Sequence, residues 1–280
     1  MMGRVNAVTR GRTSLDTVEA FAAAAERFAV AVAWSDPRAP VASCPGWSTY
    51  DLVVHLGNVH AWAATIVETG RFAVEQNDEP RTSKGKVVSA WYAGKAEDLY
   101  EVLRQVPPDT PCWNFAYGAG LASFWPRRQL HETTVHQIDL DAAGGRGSEV
   151  ASEVCLDGVD EVLTVMMHRM HQRGHPAVLD RPVALTATDT GDTWVVTPRP
   201  RPPAAAVPTQ PAGATGHASL ELPPAVEHRR SAVVAVPDRV EAPAALLYRM
   251  LWHRAADESE LRVLGDERRV RAFLGSRLTP

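Results

Sequence analysis

Residues 127–139 read Arg127-Arg128-Gln129-Leu130-His131-Glu132-Thr133-Thr134-Val135-His136-Gln137-Ile138-Asp139, and they fall inside a helix predicted from Leu121 to Ala143, ahead of Gly144-Gly145. Arg128, Glu132, His136 and Asp139 recur at helical spacing, so four ionisable groups share one stripe. His131 points about 100° away from Glu132 at 3.6 residues per turn and suits a ligand role less well. Leu130, Thr134 and Ile138 make a neighbouring, more apolar stripe. The charged row has two readings. One is a solvated face with ion pairs that support the helix. The other is a Glu and a His one turn apart, aimed at a metal from inside a helical bundle. The order is Glu-x-x-x-His, so the zinc-protease His-Glu-x-x-His reading does not apply.

Around this stretch, four further segments read as helices. The first runs from about Ser14 to Trp34, with Leu15, Val18, Phe21, Ala22, Ala25, Phe28 and Ala29 on one face. The second follows the turn Pro45-Gly46, opens with the capping-box-like Ser48-Thr49-Tyr50-Asp51 and ends near Gly70. A third is predicted from Ser89 to Val106, stopped by Pro107-Pro108. Another spans Ser152 to Arg173, with Gly174 as its C-cap. His55 shares a stripe of the second helix with Leu52, Val59, Trp62 and Ile66, so it is expected to be buried. A lone His on such a face is more often a hydrogen-bonded core residue than a ligand. With Glu132 and His136 it completes three protein ligands and leaves positions open, which is the layout of a catalytic zinc site. Iron and nickel accept the same ligand types.

Other polar groups have structural readings. His60 faces elsewhere on its helix, and His168, His171 and His175 lie where a helix C-terminus favours positive charge. Cys44 reads as a small buried residue or as a reactive thiol. The segment Cys112-Trp113-Asn114-Phe115-Ala116-Tyr117-Gly118 suits a loop, either lining a pocket mouth or plugging the structure.

The 280 residues suggest two cores. The expected division is a helical bundle over residues 1–178 and a small α+β domain over 179–280. The second part carries a hairpin at Val183–Thr188 and Thr193–Thr197, then a proline-rich loop at 198–216. Strands are predicted near 218–222 and 232–236, and helices at 242–254 and 267–274. Hydrophobic residues make up 45% and charged residues 22%, which is ordinary for a globular protein and gives no case for disorder. Net charge is −4, so there is no basic field to recruit nucleic acid or anionic lipid. No stretch approaches the ~18 apolar residues of a membrane span. Three scattered cysteines, odd in number, point to a reducing compartment, and a cytoplasmic protein is expected. The expected partner is a small-molecule substrate; the sequence leaves the oligomeric state open.

Three stretches carry a resemblance to a known family: Cys44-Pro45-Gly46-Trp47-Ser48 with Asp51-Leu52-Val53-Val54-His55-Leu56-Gly57; Arg127-Arg128 with His131–His136 and Asp139; and Leu156-Asp157-Gly158-Val159-Asp160-Glu161-Val162-Leu163. Together they resemble the mycothiol-dependent maleylpyruvate isomerase family. That resemblance implies a DinB-like four-helix bundle joined to a small α+β domain distantly like sterol carrier proteins. The helix ending at Arg254, followed by Val263-Leu264-Gly265-Asp266, is similar to that second domain. The likeness implies a divalent ion, usually zinc, on His55, Glu132 and His136, with mycothiol as thiol cofactor. It further implies functional roles for Asp139 and Arg254: Asp139 reads as proton shuttle or orienting acceptor for His136, and Arg254 as clamp for a substrate carboxylate or cap of its own helix end. Arg128 and Trp113 are the expected cofactor-binding residues. The implied activity is thiol transfer to a small electrophile or cis–trans isomerisation. A metal-dependent hydrolase and a non-catalytic binding module are the rival readings. The long proline-rich loop, and His253 where a small residue commonly precedes the arginine, depart from the family pattern.

Overall fold

The computed structural model describes residues 15–199, 224–230, 235–255 and 257–280. Four helices form the N-terminal bundle: α1 (Thr17–Ala33), α2 (Thr49–Thr69), α3 (Gly85–Gln105) and α4 (Phe124–Ala143). Asp16 caps α1 by accepting from the Val18 and Glu19 amides, and Phe21, Ala24, Ala25, Phe28 and Val32 are its buried face. The capping box that opens α2 is present: Ser48 N–H donates to the Asp51 carboxylate at 2.8 Å and Asp51 N–H to Ser48 Oγ at 3.3 Å. Gly70 closes the helix with φ 68°. α3 begins a turn earlier than predicted and buries Val88, Tyr92, Ala96, Leu99 and Leu103. The predicted loop at 112–118 is instead a short antiparallel hairpin, β1 (Pro111–Asn114) and β2 (Gly118–Leu121). Asn114 makes that turn without regular alternation in its favour, by accepting the Ala116 and Tyr117 amides on its side chain.

The predicted helix over 152–173 is present but is not uniform. It runs as α5 (Ser152–Glu161), a π-helical turn at Val162–Met166, and α6 (Met167–Gln172). The C-terminal part is a five-stranded sheet of β3 (Val183–Ala187), β4 (Asp192–Thr197), β5 (Ala225–Arg230), β6 (Arg239–Ala242) and β7 (Arg262–Leu264), in the order β5-β4-β3-β6-β7. β3 pairs parallel with β6 and the other neighbours are antiparallel. Helices α7 (Ala244–Leu251) and α8 (Glu267–Leu274) complete it, making an α+β architecture. The predicted hairpin is β3–β4. The predicted strand at 218–222 and the proline-rich loop from Pro200 onward lie outside the described residues, as do 232–234 of the other predicted strand. Ala235 and Val236 are irregular, and β6 starts only at Arg239.

Two hydrophobic clusters hold the molecule together, and α4 contributes to both. Trp125, Leu130 and Leu140 pack with α1–α3, whereas Val135 and Ile138 pack into a second core with α5, the π-helical turn, the sheet, α7 and α8. Gly158 is where α5 approaches the other helices: a Cβ there would lie 2.2 Å from the Tyr248 ring and 2.9 Å from that of His131. With apolar surroundings on both sides, every polar residue of α4 must find a partner or cost desolvation energy. The charged stripe is therefore not the solvated face that composition alone allows.

Candidate metal centre

Three ligand atoms converge where α2 faces α4. His55 Nε2 lies 3.5 Å and His136 Nε2 3.4 Å from the same Glu132 oxygen, Oε1. A tetrahedral zinc with bonds of roughly 2.1 Å requires ligand–ligand separations of about 3.4 Å, so the donor set fits such an ion in type and in spacing. The other Glu132 oxygen accepts from Arg128 Nη2 at 2.8 Å, which fixes the carboxylate with Oε1 turned to the histidines. Arg128 is 2% exposed and is itself held by the buried Glu161 of α5. Burial alone would raise the Glu132 pKa, but hydrogen bonds with His136 and His55 and the Arg128 charge hold it well below the usual carboxylate range.

His136 is oriented from its far side. Its Nδ1 lies 3.0 Å from Asp139 Oδ2, the carboxylate–histidine arrangement that turns Nε2 toward a metal. Burial works against protonation, yet the hydrogen bonds to Asp139 and Glu132 prevail and push His136 up to about 9. Asp139 is in turn held by Arg254, whose Nε and Nη2 reach its two oxygens at 3.0 and 3.2 Å, and by Ser43 Oγ at 2.5 Å. Arg254 also donates to the Trp252 carbonyl at 2.6 Å. The chain brings Arg254 into this position by turning sharply after α7, with His253 at φ 56°. That left-handed conformation is uncommon for a residue with a Cβ, although histidine is among those that adopt it more readily.

His55 differs from the expectation of burial: its side chain is 32% exposed, because its stripe opens on a cavity instead of packing fully. The cavity has a volume of about 630 Å³. Trp47, Trp62, Phe115 and Trp252 supply its aromatic wall, beside the metal-ligand set, Arg128, Cys44, Arg169 and Arg254. Trp113 is not among the lining residues; it packs behind Trp62 at 6.2 Å between ring centroids, and its carbonyl accepts the Trp125 indole N–H. Arg128 lines the cavity with both carboxylate partners engaged.

Cys44, His136 and Asp139 form a second group of mutually close potential ligands. It suits an ion less well. Asp139 is saturated by Arg254, Ser43 and His136, and burial together with the Asp139 charge raises the Cys44 pKa, keeping a thiol where a metal needs a thiolate.

Two other histidines near the site, His60 and His131, have structural roles. His60 is fully buried between Gln129 Oε1 at 2.7 Å and Tyr92 OH at 3.1 Å. Burial lowers it to about 4, so it is neutral. His131 bridges Asp157 Oδ2 at 2.8 Å and Tyr248 OH at 3.3 Å, tying α4 to α5 and α7. Sequence reasoning gave no role to Glu161, Ser43 or Arg169. Glu161 lies inside one of the family-like stretches and could have been sought as a partner for Arg128. Ser43 and Arg169 carry no local signal, since their surroundings come from distant parts of the chain.

Comparison with known proteins agrees with this picture. The family model for the mycothiol maleylpyruvate isomerase N-terminal domain matches residues 17–141. The fold resembles a crystal structure of the mycothiol-dependent maleylpyruvate isomerase with a TM-score of 0.53 at 11% identity. It also resembles that of a histidine-to-alanine mutant of the mycothiol-dependent maleylpyruvate isomerase, with a TM-score of 0.54 at 9% identity. Each likeness covers 88% of this chain and 91% of the other. No curated protein matches the chain significantly. No helix among the described residues is long and apolar enough to cross a membrane. The family match thus covers residues 17–141, the helical bundle that carries His55, Glu132 and His136.

Proposed function

We propose that this protein is a metal-dependent enzyme that uses mycothiol to attack a small electrophilic substrate. The observation that carries the reading is the convergence of His55 Nε2, Glu132 Oε1 and His136 Nε2 on one wall of an aromatic cavity. These three residues would hold the ion, with zinc the best fit to two imidazoles and a carboxylate. When bound, the ion would supply the charge that keeps a thiol sulfur ionised near neutral pH, where a free thiol of pKa about 8.5 is mostly protonated.

The chain's own residues have separable tasks. Arg128 and Glu161 keep Glu132 ionised and pointed, and Asp139, anchored by Arg254 and Ser43, keeps His136 in the metal-ready orientation. Trp47, Trp62, Phe115 and Trp252 shield the reacting atoms from water. Addition of the thiol across an activated double bond forms one S–C bond and places one proton on the neighbouring carbon. If the thioether leaves, the protein is an S-transferase. If the same S–C bond breaks after rotation and that proton is removed, it is a cis–trans isomerase.

The test is elemental mass spectrometry on the purified protein and on Glu132→Ala and His136→Ala variants whose folding is checked by circular dichroism, followed by substrate consumption with and without mycothiol. About one divalent ion per chain, lost in both variants, and activity that requires the thiol are expected. Absence of metal after reconstitution, or metal retained in both folded variants, would overturn the metal site. Activity without any thiol would replace the transfer reading with hydrolysis by bound water.

A further inference from the structure

Arg169 lies on the cavity wall, half-buried, and its side chain takes no hydrogen bond or ion pair among the described residues. Its guanidinium sits 3.9 Å from the centre of the Phe115 ring. Stacking of this kind fixes the plane of the guanidinium and leaves its in-plane N–H donors free for an acceptor. The two other arginines on the same wall have no such freedom. Arg128 is taken up by Glu132 and Glu161, and Arg254 by Asp139 and the Trp252 carbonyl.

The π-helical turn explains how Arg169 comes to be there. Its backbone bonds run from residue i to i+5, as in Met167 N–H to the Val162 carbonyl, so residues five apart share a face. Glu161, bonded to Arg128 at the cavity wall, and Met166, which lines the cavity, are five apart. Arg169 follows Met166 by one ordinary helical step on that face. An uninterrupted α-helix would turn residues beyond the bulge by about 100° relative to Glu161. Such turns concentrate at functional sites. Burial and the neighbouring Arg173 and Arg128 charges all act against the charged form of Arg169, with only Glu132 favouring it. A cation kept in that position without a protein counter-ion is suited to an anion that arrives from outside.

We infer that Arg169 is the residue that receives the substrate's anionic group, and that this group is a carboxylate. Arg254 then acts as a positioning residue for Asp139. The inference rests on the thiol-transfer reading for the identity of the ligand as a substrate, whereas its binding test needs no thiol.

The test uses the full chain loaded with zinc and a matched probe pair, cinnamate and cinnamamide, alike in shape and differing in a carboxylate against an amide. Binding is read by quenching of tryptophan fluorescence, since Trp47, Trp62 and Trp252 line the cavity. The parent should bind the carboxylate about 10-fold tighter or more, Arg169→Met should abolish that preference while leaving metal content and amide binding unchanged, and Arg169→Lys should keep part of it. A parent without preference for the carboxylate would overturn the inference. So would an Arg169→Met protein that retains the parental preference, because the metal or another group would then be the receptor. Should Arg169→Met fail to fold, an Arg169→Lys protein with undiminished preference would refute the two-pronged contact. If the binding results hold but mycothiol supports no turnover, the anion site survives and the transferase reading fails.

Discussion

Replacing Asp139 by Asn tests whether the metal site is set up by its surroundings as well as by its ligands. Asp139 is 2% exposed, and its carboxylate accepts hydrogen bonds from Ser43 Oγ, Arg254 Nε, Arg254 Nη2 and His136 Nδ1, with the Cys44 thiol a longer fifth contact at 4.0 Å. Burial works against its charge, but the His136 and Arg254 hydrogen bonds hold its pKa at about 2. Asparagine keeps the shape and loses the charge, and its NH₂ must face a group that is itself a donor. Either Arg254 or His136 then loses its acceptor. If His136 turns to the tautomer with the proton on Nε2, the atom nearest Glu132 can no longer accept a metal. Changes in such supporting partners lower metal affinity by about 10- to 100-fold, or roughly 1.4 to 2.7 kcal/mol. Competition against a chelating dye at pH 7.5 measures the affinity. Ser43→Ala, which removes one neutral donor, should lose less than the Asn variant. A folded Asp139→Asn protein that binds zinc as tightly as the parent would refute the reasoning and leave Asp139 with a purely structural role.

Two further outcomes are expected. Glu161→Gln leaves Arg128 buried with a single carboxylate, and unfolding in urea should show a loss of about 3–5 kcal/mol; the double variant Glu161→Gln/Arg128→Met should lose less than the sum of its singles, because the stranded charge is gone. His60, neutral in the fold with a pKa of about 4 against an ordinary 6.5, costs stability as pH falls: the unfolded chain takes up its proton first, so stability is full above pH 6.5 and drops by about 3 kcal/mol on the way to pH 4. His60→Gln should flatten that part of the pH–stability curve, measured by denaturant titration between pH 7 and 4.5, and an unchanged slope would show that His60 does not titrate there.

Local pattern was sufficient for the helices of the bundle. The Ser48–Asp51 box, the Pro107-Pro108 stop and the spacing of Glu132 and His136 act within a few residues of one another, where propensity and capping decide the outcome. The same spacing put Arg128, Glu132, His136 and Asp139 on one stripe, and the likeness of three stretches to one family named His55 as the third partner. The hairpin at residues 111–121 was less visible, because its strands are short and its turn is made by the Asn114 side chain. Nor was the π-helical turn legible, since it is one extra residue accommodated by packing against both cores and leaves the apolar pattern nearly intact.

What the sequence alone determined, then, is which side chains stand together along each helix. Only the tertiary structure decided what they do. It set α4 between two hydrophobic cores, so that its charges had to pair and Arg128 was matched to Glu161, 33 positions away. It opened a cavity beside His55 and left Trp113 behind Trp62. It folded Arg254 back onto Asp139 across 115 positions, and stacked Arg169 on Phe115 with no side-chain hydrogen bond or ion pair among the described residues. Helical periodicity acts through neighbours three and four residues apart, whereas the partner of a buried charge is chosen by packing between elements, which no local spacing encodes.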